Sequence, residues 1–350
     1  MALRPKRRIA RVACASVFAG ALAVLPLSGS LARSVLGGSG GGTVVAWGDN
    51  ENGQTSVPAG LSGVTAISAG GAFSLALESD GTVVAWGDNE NGQTSVPAGL
   101  SGVTAISAGG AFGLALQKDG TVLAWGDNEN GEASVPSGLS GVIAVSAGGS
   151  FGLALKNDGT VVGWGDSSAA RVPAGLSGVT GISAGGSLSL ALKKDGTVVA
   201  WGPGSTADAP AGLSGVTAIS AGGLFSLALE SDGRLVAWGD DSFGQTEVPA
   251  GISGVTGISA GDTFGLALRN DGTVAAWGLR DSGGTEVPAG LSGVTAISAG
   301  RSFALAIGTV KPTPGDVAGV VPGVVAIVAV AVFAVFAAAI VGFVWIRRRR

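Results

Sequence analysis

From Thr43 to Ile307 the chain alternates short apolar runs with Gly, Asn, Asp and Pro, and the runs return at a fixed interval. One unit holds Val64 to Ser68, Phe73 to Leu77, Thr82 to Trp86 and Gln93 to Val96, four β-prone segments of strand length separated by turn residues. No stretch of this region has the apolar period of a helix. Trp-Gly marks the interval, at Trp47, Trp86, Trp125, Trp164, Trp201, Trp238 and Trp277, in steps of 39, 39, 39, 37, 37 and 39 residues. Ala-Gly recurs in step with it, from Ala69-Gly70 to Ala299-Gly300. Asp80-Gly81 joins the second and third segments, and Asp-Gly recurs there in later units, where its tolerance of positive φ suits a tight hairpin.

A lone four-stranded sheet of this size buries too little apolar surface to be stable, whereas seven stacked about an axis bury both faces of each. The pattern therefore predicts an all-β fold, a seven-bladed β-propeller of four-stranded blades over residues 43–307. The seven repeat indoles are expected to form the blade core, wedged between neighbours. The repeats begin at a third segment, Thr43 to Trp47, and end at a second, Phe303 to Ile307. The last blade is expected to combine the N- and C-terminal strands, a closure that removes free sheet edges.

The two ends read differently. Residues 1–32 have the basic start, apolar run and small-residue cut site of a signal peptide, followed by a linker over 33–42. A Pro/Gly linker over 308–321 leads to an apolar run, 322–346, long enough for one C-terminal transmembrane helix. Arg347 to Arg350 make a basic tail that the positive-inside rule places in the cytoplasm. These signals predict a single-pass plasma-membrane protein with its propeller outside.

Charge and composition narrow the chemistry. Removing the nine basic residues of the first eleven and last four positions leaves eleven Lys and Arg against twenty-four acids, about -13. That balance disfavours nucleic acid as a partner. The chain has no His and no Tyr, and its one Cys is Cys14, in the N-terminal segment. The commonest general base and the commonest metal ligand are thus missing. Asp49, Glu51 and their repeats do not follow the spacing of an EF-hand loop. No cofactor, no metal and no catalytic residue is expected, and the protein is read as not an enzyme.

The run Gly81-Thr82-Val83-Val84-Ala85-Trp86-Gly87-Asp88-Asn89 with Gly92-Gln93, then Ile106-Ser107-Ala108-Gly109 and Leu114-Ala115-Leu116, resembles the regulator of chromosome condensation repeat family. The resemblance covers residues 43–307 and implies a seven-bladed propeller. The short units and the Gly92-Gln93-Thr94-Ser95-Val96-Pro97 segment are most similar to the secreted β-lactamase inhibitory protein of type II. That inhibitor grips its target with aromatic residues at places held here by Ala72, Ala111, Ser150, Ser187, Leu224, Thr263 and Ser302. The resemblance therefore implies the fold and not the aromatic grip.

Alternate turns of up-and-down strands share an end. The Gly71-Ala72 turns and the loops after each Trp-Gly share one, face A; the Asp-Gly hairpins and the connectors from Pro97 to Gly102 share the other, face B. The copies differ mostly on face A. Partner binding is expected there, with Leu224 and Phe243 as an apolar spot and Arg171, Arg280 and Arg301 as charged contacts. The expected function is a cell-surface scaffold that binds an extracellular protein or surface ligand without catalysis, held to the membrane by its C-terminal helix. The alternative is a membrane-tethered inhibitor of an extracellular enzyme such as a β-lactamase.

Overall fold

The computed structural model describes residues 43–203, 208–280 and 283–311. The chain opens with β1 (Thr43–Gly48) and continues with β2 (Val64–Ala69), β3 (Phe73–Glu78), β4 (Val83–Gly87), β5 (Val103–Ala108), β6 (Phe112–Gln117) and β7 (Val122–Gly126). Next come β8 (Val142–Ala147), β9 (Gly152–Lys156), β10 (Val161–Trp164), β11 (Val179–Ala184), β12 (Ser189–Lys193) and β13 (Val198–Trp201). The last strands are β14 (Val216–Ala221), β15 (Phe225–Glu230), β16 (Leu235–Gly239), β17 (Val255–Ala260), β18 (Phe264–Arg269), β19 (Val274–Gly278), β20 (Leu291–Ala299) and β21 (Phe303–Val310).

They form seven three-stranded antiparallel sheets, arranged as a propeller. Blades 1 to 6 take consecutive triplets from β2-β3-β4 to β17-β18-β19. Blade 7 is ordered β1-β21-β20, so the first described strand and the last share one sheet. Thr43 to Gly48 pair with Gly308 back to Phe303, residue by residue.

Burial explains why the sheets assemble. Each hydrophobic cluster is shared by two blades. Phe73, Leu75 and Leu77 of blade 1 pack with Val103, Ile106 and Trp125 of blade 2. Val44, Phe303, Leu305 and Ile307 of blade 7 pack in the same way with Val64, Ile67 and Trp86 of blade 1. The seven repeat indoles lie in these interfaces, each only 6–8% exposed. A sheet taken alone would expose both of its apolar faces, so the interfaces and the ring form together.

Two sets of polar bonds tie the blades. The serine of each inner strand accepts the alanine N–H of the next blade: Ser68 from Ala108 at 2.9 Å, Ser107 from Ala147 at 2.8 Å, and so on around the axis. Ser298 accepts from Ala69 at 3.0 Å and closes the circuit across the blade 7 to blade 1 seam. The indole N–H groups form the second set, bonded among the described residues in six of the seven blades, with Trp238 Nε1 the exception. Trp125 donates to the Gln93 carbonyl, Trp86 to Gln54 and Trp277 to Gln245, each at 2.9 Å.

The expectation of four-stranded blades is corrected: every sheet has three strands. The segment Gln93 to Val96, read as a fourth strand, has spent its backbone elsewhere. Thr94 N–H donates to the Asn89 side chain and Ser95 N–H to the Gly92 carbonyl. Val96 N–H turns back to the Thr94 carbonyl, and the Gln93 carbonyl is taken by Trp125. Pro97 has no N–H to give. Too few groups remain to form a ladder, despite β-prone side chains.

The C-terminal transmembrane helix expected over 322–346, the signal peptide over 1–32 and the linker and tail segments lie outside the described residues. Among the described residues no helix is long and apolar enough to cross a membrane, and the only helical turn is a 3₁₀ turn at Ser168–Ala170. The expected fold class, with its membrane helix, is therefore replaced by an all-β propeller of three-stranded sheets.

Candidate functional site

Face A is assembled by backbone bonds between its two loop sets. Asp88 N–H donates to the Ala72 carbonyl, Asp127 N–H to Ala111 and Asp240 N–H to Leu224, each at 3.0 Å. In blades 1, 2, 5, 6 and 7 the loop after Trp-Gly is thereby fastened to the turn between the first two strands of its blade, whereas in blade 3 Asp166 N–H donates to the Asn130 carbonyl of the preceding loop at 2.8 Å. Face B is built separately: Ser79 N–H donates to the Gly63 carbonyl and Lys118 N–H to Gly102, both at 2.9 Å.

At the axis, face A opens into a cavity of ≈ 270 Å³ lined by the seven Ala-Gly turns. Its rim is nearly all backbone. Gly149 N–H donates to the Gly185 carbonyl at 3.0 Å, and Arg301 N–H donates to Gly70 at 3.2 Å across the seam. A Cβ on Gly149 would stand 2.5 Å from the Gly186 carbonyl oxygen, so blade-to-blade approach there requires glycine. Asp262 and Arg301 replace that glycine in blades 6 and 7 and face each other, with Nε to Oδ2 at 3.7 Å.

The loops after Trp-Gly are braced from within. In the loop after β4, Gln93 is buried; its Nε2 donates to Asp88 at 2.8 Å and its Oε1 accepts from Asn91 N–H at 2.9 Å. The loop after β16 repeats this with Gln245 and Asp240 at 2.9 Å. The Ser242 hydroxyl beside Asp240 holds its carboxyl below the usual aspartate range. Position Phe243 at the loop tip follows from this brace, since its N–H donates to Gln245 Oε1 at 2.8 Å.

The residues singled out in the sequence fall into two places. Leu224 and Phe243 sit on blade 5, 46% and 49% exposed, in the two loops joined by the Asp240–Leu224 bond. Arg280 follows β19 in blade 6 and Arg301 lies in the β20–β21 turn of blade 7; both are exposed. Leu224 and Phe243 thus share blade 5, while Arg280 and Arg301 lie one on each of the next two blades. Arg171 is exposed on the loop after β10, in blade 3, and stands apart. Asp262 was missed. Its signal was present: a single acid in a turn that is Gly-Gly in five other repeats. Among the described residues no group of three or more His, Cys, Asp or Glu could hold a metal ion.

Five segments, residues 64–93, 103–132, 142–169, 216–245 and 255–283, match the Regulator of chromosome condensation (RCC1) repeat. Five of the seven blades thus carry segments similar to that repeat. Each matched segment spans one blade and the start of its outgoing loop, in step with the sheets described above. No curated protein sequence matches the chain. Among solved structures, Prp20p of Saccharomyces cerevisiae is similar with a TM-score of 0.66 at 18% identity, over 84% of this chain and 95% of that one. Human WBSCR16 gives 0.63 at 17% identity, over 76% and 99%. The CRINKLY WD40 ectodomain of the Arabidopsis thaliana receptor kinase ACR4 gives 0.57 at 22% identity, over 73% and 99%. Identities this low establish a shared fold.

These findings revise the functional reading. What the comparisons support is the architecture, a propeller with segments similar to the RCC1 repeat. The cell-surface placement, the extracellular partner, the membrane contact through a C-terminal helix and the tethered inhibitor of a β-lactamase-like enzyme are withdrawn. They rested on the terminal segments 1–32 and 322–346, which lie outside the described residues, and no described helix is long and apolar enough to cross a membrane.

Proposed function

We propose that this RCC1 propeller binds a protein partner through face A, with Leu224 and Phe243 of blade 5 as the apolar anchor and Arg280, Arg301 and Arg171 as separate charged contacts on blades 6, 7 and 3. One observation carries the reading. Two of the four exposed large apolar side chains among the described residues stand on one blade, in loops joined by the Asp240–Leu224 bond, on the face where the repeats diverge. Large side chains exposed on rigid, hydrogen-bonded loops are the kind that become buried anchors in an interface. Prp20p, which shares the fold, is described by its binding to Gsp1p and histones. That makes a protein partner a natural reading for this propeller as well.

The finer likeness to the secreted β-lactamase inhibitory protein of type II rests on the short repeat and the Gly92 to Pro97 segment. Its gripping positions hold small or aliphatic residues here, so no inhibitory activity is carried over.

The test is affinity capture with the full chain, comparing Leu224→Ser/Phe243→Ser with a face B variant, Lys118→Ser. The partner is expected to be lost with the first and kept with the second. Equal capture by both would end the assignment to face A.

A further inference from the structure

The two faces differ in how their charges are held. On face B the cations sit beside acids of the same hairpin. Lys156 lies 3.4 Å from Asp158, Lys193 lies 3.6 Å from Asp195, and Arg234 pairs with Glu230. Face B is therefore a mosaic of opposite charges whose fields cancel over a Debye length.

Face A is not balanced in this way. Glu51, Glu90 and Glu129 are exposed at the tips of three successive loops, in blades 7, 1 and 2. Asp166 and Asp241 are exposed in the corresponding loops of blades 3 and 5. Against them stand Arg171, Arg280 and Arg301, and Arg301 is already opposite Asp262. Like charges spaced around one rim sum to a field that attracts an opposite charge. The loops that display them are pinned to the blades, so this field has a fixed shape.

The apolar pair lies on blade 5, across the axis from the loops of blades 1 and 2, and the acids nearest it in the chain are Asp240 and Asp241 of its own loop. Phe243 comes two residues after Asp241, and Leu224 is joined to the same loop through Asp240. A partner that covers Leu224 and Phe243 must therefore lie against carboxylates.

We infer that the partner of face A is a protein segment rich in Lys and Arg that carries a large apolar side chain, the apolar group seating on Leu224 and Phe243 and the cations on the acidic loop tips. This rests on the face A reading above and adds the chemistry of the partner. The acidic rim sets the rate of encounter and its salt dependence, and the apolar pair sets the lifetime of the complex.

The test uses the full chain and three labelled synthetic peptides of equal length: alternating Lys-Leu, alternating Glu-Leu and alternating Lys-Ser. Binding is read by fluorescence anisotropy at two salt concentrations, and the bound surface by hydrogen exchange. The Lys-Leu peptide is expected to bind best, to weaken steeply with salt, and to protect the face A loops. Leu224→Ser/Phe243→Ser and Glu51→Lys/Glu90→Lys/Glu129→Lys should each weaken it by about tenfold or more. Unchanged melting temperatures would show that both variants remain folded. Equal binding of Glu-Leu, no binding of Lys-Leu, or indifference to the charge reversal would overturn the inference. If Glu-Leu bound and Leu224→Ser/Phe243→Ser abolished it, face A would stand and the basic partner would fall. Protection of the face B hairpins instead would remove the face A reading itself.

Discussion

The indole N–H of Trp125 donates to the backbone carbonyl of Gln93, 32 residues earlier in the chain, at 2.9 Å. The third strand of blade 2 is thereby fastened to the segment leaving blade 1. The same bond keeps that segment out of a ladder and holds the loop ahead of it on face A.

Trp125→Ala removes both the wedge and the donor. A loss of ~3–5 kcal/mol is expected from the cavity left by a buried aromatic. Trp125→Phe keeps most of the packing and should lose less. Chemical denaturation of the three proteins separates the cases. Equal stability of Trp125→Ala and the parent would place the ring outside the core.

Ser298 accepts the Ala69 N–H across the seam, and both residues are buried. In Ser298→Ala that amide has no acceptor, an expected cost of about 1–3 kcal/mol. Hydrogen exchange of the Ala69 amide should rise with it. An unaltered exchange rate would mean that the serine circuit does not hold the seam.

Gln54, Gln93 and Gln245 donate their amides to Asp49, Asp88 and Asp240 at 3.0, 2.8 and 2.9 Å. Glu132 fills that place in the loop after β7, 1% exposed, and its carboxylate accepts from Asn130 N–H at 2.8 Å. A carboxylate has no proton to offer Asp127. Glu132→Gln supplies the donor and should raise stability by about 1 kcal/mol. A lower melting temperature would show that Glu132 has a use of its own.

Hydrogen bonds from Thr82 and Thr121, the backbone N–H foremost, lower the carboxyls of Asp80 and Asp119. The hydroxyls of Thr160, Thr197 and Thr273 come first in lowering Asp158, Asp195 and Asp271. The unfolded chain then takes up these protons at higher pH than the folded one. Their contribution is complete above the ordinary aspartate value of 3.8 and drains away as pH falls through the lower folded values. Urea midpoints should fall below that pH, and less steeply in Thr160→Val/Thr197→Val/Thr273→Val. An identical slope in the variant would contradict this origin.

Much of the architecture was legible because one period runs through the chain. Trp-Gly and Ala-Gly at near-constant steps specify the number of modules, and the broken repeat at each end points to a shared last blade. The strand count per blade was not legible. Gln93 to Val96 has strand-like side chains, while its fate depends on where its backbone groups are spent, and Asn89 and Trp125 take them. The face A loops stood out through their variation from copy to copy. The joining of the Leu224 turn to the loop that carries Phe243 depends on a backbone bond that no spacing announces. Asp262 and Arg301 are 39 residues apart and meet only because blades 6 and 7 are neighbours around a ring.

Ring closure underlies all of this, since face A exists only if the seven sheets stand side by side. An open array of repeats melts piecewise, whereas a closed ring shares every interface. Calorimetry of the chain with and without residues 43–48 tests this most directly. The account predicts one cooperative transition for the parent, and its loss or a large fall in melting temperature once β1 no longer pairs with β21. A transition of the same shape and temperature in both would contradict it.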